Sequence, residues 1–451
     1  MNGSPRYIAL KILHKIDFDG GFSNISLSHE IRNSSFSELD KGFLTELVYG
    51  VIERKITLDY FISRFSTVPV RKMNHHVLLI LRISAYQMAF MDKVPFYSIC
   101  DEAVKLAKKL IPVNAGFINA VLRSMSQTKL IIPSFSKKLF HSETRYLSVK
   151  YSLPEWLIER WIGGFGHDFA LELFNAFNHN VKFEIRVNRI KSSVTDVQAT
   201  LGEKGYRLRP SKISCDSLIV ENPSGIIATE EFKHGLFYVQ DSAASLVSIV
   251  LDPGNGERVF DACSAPGGKA THIAEIMGDT GEVIACDVFP HKIDLISENA
   301  TRLGLKSVHP KLCDSLVYNE DMKEKFDRVL LDVPCTGLGL LARKPEIRWS
   351  RNDSDFEDVS KLQMNLLNNC SKYLKPNGCM VYSTCSIDHA ENEDVINAFV
   401  DAHSDFEFCS FEDLLPDSLK DRGGAGGMLT LYPHLDKCDG FFIAKIRRKA
   451  L

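Results

Sequence analysis

The stretch Arg258-Val259-Phe260-Asp261-Ala262-Cys263-Ser264-Ala265-Pro266-Gly267-Gly268-Lys269 decides the fold. A short apolar run ends on an aspartate, a proline and two adjacent glycines make a tight turn, and a helical pattern follows over Lys269–Met277. The same strand, loop, helix rhythm then repeats. Val283–Asp287 reads as a strand and Pro290–Leu303 as a helix; Arg328–Asp332 is a strand, followed by a long loop and a helix over Val359–Leu374. Cys379–Thr384 is a strand and Asn392–His403 a helix. Strands alternating with helices of this length predict a parallel, doubly wound α/β sheet of Rossmann-like form over 238–451. Met428–Tyr432 and Phe441–Ile446 flank the turn Cys438-Asp439-Gly440 and predict an antiparallel hairpin on the sheet edge.

Working outward, residues 1–140 have helical periodicity throughout, with Pro69, Pro95 and Pro112 between the apolar runs, which predicts an all-α domain. Pro133 and the serines after it mark its end. Residues 147–237 mix a helix (Glu155–Phe177), the alternating strand Phe183–Asn188, a second helix (Val194–Lys204) and further short strands: a small α+β module. The chain is therefore a multidomain one. Of its 451 residues 45% are hydrophobic and 25% charged, which excludes disordered and low-complexity architectures. The net charge of −3 hides an asymmetry, about +9 over 1–150, −1 over 151–240 and −11 over 241–451, so the basic N-terminal part is a candidate polyanion-binding surface. Eleven cysteines with no C-x-x-C pair fit a reducing cytoplasm and no local zinc site. Met1–Lys15 reads as an amphipathic helix and not a signal peptide, and the apolar stretch Val77–Met91 is too short to span a bilayer. The expectation is a cytoplasmic protein with no membrane partner and no bound metal.

Doubly wound sheets bind ligands at the carboxyl ends of their strands. The loop Cys263-Ser264-Ala265-Pro266-Gly267-Gly268-Lys269 lies at the first such end. It is neither G-x-G-x-x-G nor a Walker P-loop: Cys263 stands where the first P-loop glycine belongs, and Ala270 where a magnesium-binding hydroxyl is needed. Asp287 ends the next strand about 20 residues on, suited either to cap the following helix or to bind both hydroxyls of a ribose. Asp314 ends the third, suited either to reach an adenine amino group or to stand solvated in a loop. Together they describe a pocket for an adenosine without phosphates, and the common ligand of that kind is S-adenosylmethionine.

Strand four ends in Asp332-Val333-Pro334-Cys335-Thr336-Gly337 and strand five in Ser383-Thr384-Cys385-Ser386. Both open to the ligand edge, so Asp332, Cys335 and Cys385 are expected to converge there. Carbon 5 of cytosine is too weak a nucleophile to take a methyl group unaided. A thiolate added to carbon 6 makes it one, and a carboxylic group such as Asp332 on N3 and the exocyclic amine stabilises the adduct. Spacing alone treats the two thiols alike. Beyond the proline-cysteine loop, Arg343, Lys344, Arg348 and Arg351 surround Trp349, a pattern suited to contact with an unstacked nucleotide.

These motifs resemble the Sun/Nop family of RNA cytosine-5 methyltransferases. Leu47-Val48-Tyr49-Gly50-Val51 and Ile118-Asn119-Ala120-Val121-Leu122-Arg123 are similar to a NusB-type RNA-binding domain, Ile185-Arg186-Val187-Asn188 to the family's middle module, and Asp439-Gly440-Phe441-Phe442 to its ending. The resemblance implies Cys385 as the nucleophile and Cys335 as the residue assisting product release. It also implies that Cys263–Lys269, Asp287, Asp314 and Asp332 line the cofactor and target-base pocket. DNA enzymes use the proline-cysteine thiol instead, so Cys385 argues for RNA and against DNA. The implied substrate is 16S ribosomal RNA, free or in early small-subunit particles, and the implied state a monomer. Transfer RNA or another ribosomal RNA as substrate, and a non-catalytic assembly factor, are the competing readings.

Overall fold

The computed structural model describes residues 3–21, 23–127, 136–178 and 182–450. Its contacts divide the chain into two units, residues 1–178 with 344–353, and residues 179–343 with 354–451.

The first unit is helical. Its helices are Pro5–Phe18, Ser23–Arg32, Glu38–Glu53, Lys55–Phe65, His75–Phe90, Phe96–Leu110, Ala115–Gln127, Glu143–Tyr151, Glu155–Phe165 and His167–Ala176. Local chemistry sets their starts: Ser4, Ser37 and Asn74 accept backbone N–H groups of the first turn, and Pro5 occupies a position with no N–H to satisfy. Leu44, Leu47, Val48, Leu79, Ile118 and Leu122 are buried in its core. Where Glu38–Glu53 crosses His75–Phe90, a side chain on Gly50 would stand 1.9 Å from the Tyr86 ring, so only glycine lets the ring pack there. The single helix expected over Glu155–Phe177 is two, broken at Gly166 with φ of 83°. Pro133, expected as a boundary, lies outside the described residues.

A short helical turn, Ile347–Ser350, belongs to this unit. Arg348 is fully buried and donates to Glu53 O (3.0 Å), Phe177 O (2.9 Å), Ser152 O (3.4 Å) and Asn178 Oδ1 (3.1 Å). Trp349 Nε1 donates to Ile52 O at 2.9 Å. The expected nucleotide contact by these two side chains gives way to a structural one: backbone carbonyls at helix ends need donors, and the guanidinium fork supplies several at once.

The second unit holds two sheets. Strands β1 (Phe183–Val187), β2 (Leu208–Pro210), β3 (Ser217–Val220) and β4 (Phe237–Val239) form an antiparallel sheet in the order β2-β3-β1-β4. The larger sheet contains β5 (Arg258–Asp261), β6 (Glu282–Asp287), β7 (Val308–Leu312), β8 (Phe326–Asp332), β9 (Leu374–Thr384), β10 (Phe406–Phe408), β11 (Met428–Leu431) and β12 (Phe441–Arg448). Its order is β10-β12-β9-β8-β5-β6-β7, with β11 also paired to β12. The strands β5 to β9 are parallel, and β12 runs antiparallel to β9 with Phe442 opposite Thr384. Both faces are covered: Val259, Val283 and Leu330 pack on one side, Phe260, Val329 and Leu331 on the other. The hairpin β11–β12 exists, but β12 is interior, between β9 and the pair β10 and β11. Residues Phe441 to Ala444 are all buried, as a strand flanked on both edges and both faces requires.

Candidate functional site

Strand β5 lies between β6 and β8, and the strand order reverses there, so the loops after β5 and β8 leave the sheet side by side. After β5 the backbone folds tightly: Ser264 N–H donates to Cys286 O at 2.8 Å and Gly267 N–H to Ser264 O at 2.8 Å. Gly267 has φ of 96°, and a side chain there would meet Ile296 at 3.3 Å; one on Gly268 would meet the Tyr238 ring at 3.1 Å. The helix Gly268–Ile276 then begins. Arg186 of β1, fully buried, braces that start: it donates to Gly268 O at 2.6 Å and pairs with Glu275 at 2.9 Å, with a further bond to Gln240 Oε1.

A cavity of about 190 Å³ opens above this turn, lined by Tyr238, Val239, Gln240, Asp261, Cys263, Ser264, Ala265, Pro266, Gly268, Lys269 and Asp332. The structure thus brings together most of the loop residues expected from the sequence, with Lys269 and Asp332. Gly267 shapes the turn behind the cavity without lining it. Asp287 is buried at the end of β6, where Oδ1 accepts from Phe289 N–H and Oδ2 lies 3.4 Å from Lys292 Nζ. Asp314, just past β7, is exposed and accepts from Leu316 N–H. Both stand at neighbouring strand ends outside this cavity's lining.

Asp261 was not singled out by sequence. It is fully buried, faces the cavity, and neither carboxylate oxygen has a hydrogen-bond partner among the described residues. Burial, with the nearby charge of Asp332, pushes its pKa up to about 7. An unsatisfied buried carboxyl is expensive unless a ligand completes it, and this one suits a cation. The only sign in the sequence is its place as the acidic last residue of the first strand.

Asp332 is held from two sides, by Lys269 Nζ at 2.7 Å and by Ser383 Oγ at 2.9 Å. Against the pull of burial, Asp332 raises the Lys269 ammonium above its usual value, so the amine keeps its proton. The β8–β9 register sets Asp332 opposite Ser383 and therefore brings the following loops together. Cys335 Sγ and Cys385 Sγ are 3.1 Å apart. The hydrogen bond to Cys385, then burial, then the charge of Cys385 hold the Cys335 thiol well above the ordinary range, which keeps the proton on Cys335. No cluster of side chains suited to a metal ion occurs among the described residues, and no helix among them is long and apolar enough to cross a membrane.

A glycine turn at the switch point of a parallel sheet, a cation-seeking carboxyl beside it, and no phosphate-binding loop define an S-adenosylmethionine-dependent methyltransferase. That ligand's sulfonium and ammonium groups fit the orphan Asp261. The model of the 16S rRNA methyltransferase RsmB/F family matches residues 248–447, that of the NusB family residues 4–127, and the RsmF/B-like ferredoxin-like domain residues 153–227. The chain is 36% identical to the probable ribosomal RNA small subunit methyltransferase B of Bacillus subtilis, over 99% of each chain. It is 31% identical to ribosomal RNA small subunit methyltransferase B of Escherichia coli, over 92% of each. Among solved structures, PH0851 superposes with a TM-score of 0.84 at 28% identity over 99% of both chains. A methyltransferase homolog from Pyrococcus horikoshii gives 0.59 at 31% identity, over 68% of this chain and all of that one. The chain belongs to the RsmB/F family of ribosomal RNA methyltransferases.

Proposed function

We propose that this enzyme methylates carbon 5 of one cytosine in 16S ribosomal RNA through a covalent bond between Cys385 and carbon 6 of that base. The observation that carries the reading is the pair of thiols 3.1 Å apart, beside the Asp332–Lys269 ion pair at the cofactor edge. Residues 1–140 would serve RNA binding and 238–451 the chemistry, with 147–237 the small α+β module between them and Cys263–Lys269, Asp287 and Asp314 holding the cofactor. S-adenosylmethionine supplies an electrophilic methyl group on its sulfonium.

Cys385 gives up its proton to solvent and adds as thiolate to carbon 6, and the ring's electron density moves to carbon 5, while Cys335 keeps its own proton. Asp332, fixed by Lys269 and Ser383, accepts from the exocyclic amine of the base, and the Lys269 ammonium paired with it offsets the added electrons while the ring carries them. After methylation, carbon 5 loses its proton to a base, the carbon 6–sulfur bond breaks, and the electron pair returns to Cys385. Cys335 donates a hydrogen bond to the departing sulfur, which makes it a better leaving group. The target base has to leave its stack to reach these groups.

The test is methyl transfer from labelled S-adenosylmethionine to unmodified 16S RNA, with transfer RNA in parallel, mapped by bisulfite sequencing. One 5-methylcytosine in 16S RNA supports the reading; label confined to transfer RNA keeps the chemistry and discards the ribosomal substrate. Cys385→Ala is expected to abolish covalent RNA adducts and Cys335→Ala to let them accumulate as slow bands on denaturing gels. The reverse pattern overturns the assignment of the nucleophile.

A further inference from the structure

The residues that follow the two thiols are gripped by one carboxylate. Glu391, fully buried at the end of the turn His389–Glu391, accepts Thr336 N–H on Oε2 at 2.8 Å. Its Oε1 accepts the hydroxyls of both Thr336 and Ser386. Thr336 follows Cys335 and Ser386 follows Cys385, so a single side chain ties the two thiol-bearing loops together. The neighbouring Asn392 completes the clamp around Cys385, its Oδ1 accepting from Thr384 Oγ1 at 2.5 Å and its Nδ2 donating to Ser386 O at 3.1 Å. The turn is itself anchored to the sheet, since Tyr382 of β9 donates its hydroxyl to Glu391 O at 2.6 Å. All three donors to Glu391 point at an acceptor-only group, and burial of an ionised carboxyl is tolerated only when it is satisfied in this way.

We propose that Glu391 is a positioning residue of the methyl transfer: by holding Thr336 and Ser386 on one carboxylate it sets the separation of the Cys335 and Cys385 sulfurs. The proposal rests on the reading above that these thiols react with the base. The side-chain hydrogen bonds of Glu391 go to Thr336 and Ser386, neither of which lines the cavity, so its loss is expected to spare cofactor binding. Glutamine in its place has one acceptor oxygen and an amide that donates, so at least one of the three donors faces another donor and the loops part. An error of about 1 Å between reacting groups lowers rates by about a hundredfold.

The thiols give a ruler independent of RNA. Diamide oxidises two neighbouring thiols to a disulfide, is itself reduced to the hydrazine, and takes up both thiol protons; alkylation and peptide mass spectrometry then read the Cys335–Cys385 bond directly. In the full-length protein, Glu391→Gln is expected to slow this disulfide about tenfold or more and lower kcat by about 10–100-fold. Kd and KM for S-adenosylmethionine should stay within about twofold, and Glu391→Asp should recover part of both losses. A folded Glu391→Gln enzyme with unchanged disulfide rate and kcat overturns the proposal. If that variant does not fold, the double substitution Thr336→Val with Ser386→Ala removes two donors and leaves the carboxylate. It should slow the disulfide likewise, and an unchanged rate again overturns the proposal. Full activity in Cys385→Ala would instead overturn the thiol mechanism, and with it the catalytic meaning of the clamp.

Discussion

Gly339→Ala tests whether the geometry of the two thiol loops governs turnover. Gly339 lies four residues beyond Cys335, where three chain segments meet. A methyl group there would stand 2.1 Å from Gly440 O and 2.8 Å from Cys385 O, against an ordinary contact that begins near 3.4 Å. Relief therefore requires a backbone movement of about 1.3 Å, taken up by the Cys335 loop, the Cys385 loop or the start of β12. Two hydrogen bonds cross this point, Gly339 N–H to Cys385 O and Gly440 N–H to Gly339 O, each at 3.0 Å. Losing both costs about 1–3 kcal/mol, and forcing an extra carbon into a packed site adds about 1–3 kcal/mol. A folded variant is thus expected to be less stable by about 2–6 kcal/mol. The displacement should lower kcat about a hundredfold, while the glycine turn after β5 keeps its affinity for S-adenosylmethionine. Denaturant unfolding, calorimetric binding of the cofactor and methyl transfer to 16S RNA read the three quantities separately. A stable Gly339→Ala enzyme with kcat within threefold of the parent would refute the argument.

Two further expectations follow from buried groups. Asp261 titrates at about 7 in the folded chain against an ordinary 3.8, so the folded state holds an extra proton between those values. Its stability contribution is complete below about pH 4 and is lost as pH rises through about 7, by roughly 4 kcal/mol. Denaturant unfolding of the ligand-free protein from pH 5 to 8 should show this slope, and Asp261→Asn should flatten it. A cationic ligand prefers the ionised carboxyl, so Kd for S-adenosylmethionine should tighten from pH 6 to 8 in the parent but not in Asp261→Asn, as calorimetry would show. Arg348→Met strips donors from four acceptors, two of them buried and two half-buried, and is expected to lower the stability of the helical unit by about 3–5 kcal/mol. RNA affinity measured well below the melting temperature should change little; a stable variant with weakened RNA binding would reinstate the nucleotide contact.

Much of the catalytic unit is legible in the sequence because its signals are local. The helix Pro290–Leu303 occurs at the bounds the pattern gives, since proline fixes its first turn and Gly304, at φ of 77°, its last. Strand ends that share an edge of a parallel sheet must converge, so Asp332, Cys335 and Cys385 could be placed together before any coordinates. Other features depend on distant partners. Leu374–Gly378 looks like a turn, with Pro376, Asn377 and Gly378, yet it is the start of β9. The acidic turn Asp355–Asp358 reads as loop but opens the helix Asp355–Cys370, where its charges suit the helix N-terminus. The role of Arg348 was hidden for the same reason: a guanidinium bound by carbonyls from three other parts of the chain has the same composition as one facing a nucleotide. Asp261 and Glu391 were passed over because burial and unmet or shared hydrogen bonds carry no mark in a sequence.

The ten residues 344–353 bear on how this architecture can be taken apart. The chain leaves the helical unit after residue 178, returns at 344 and leaves again after 353, so the helical unit is discontinuous in sequence. No single cut releases either unit whole. A fragment beginning beyond residue 178 retains Arg348 and Trp349 but lacks the carbonyls of Ile52, Glu53, Ser152 and Phe177 that they bond. It would carry a stranded cation and an indole with no seat, a poor stand-in for the catalytic half. Any chimera that exchanges the helical part between relatives has to exchange this decapeptide with it, which makes the inherited module two separated stretches of gene rather than one.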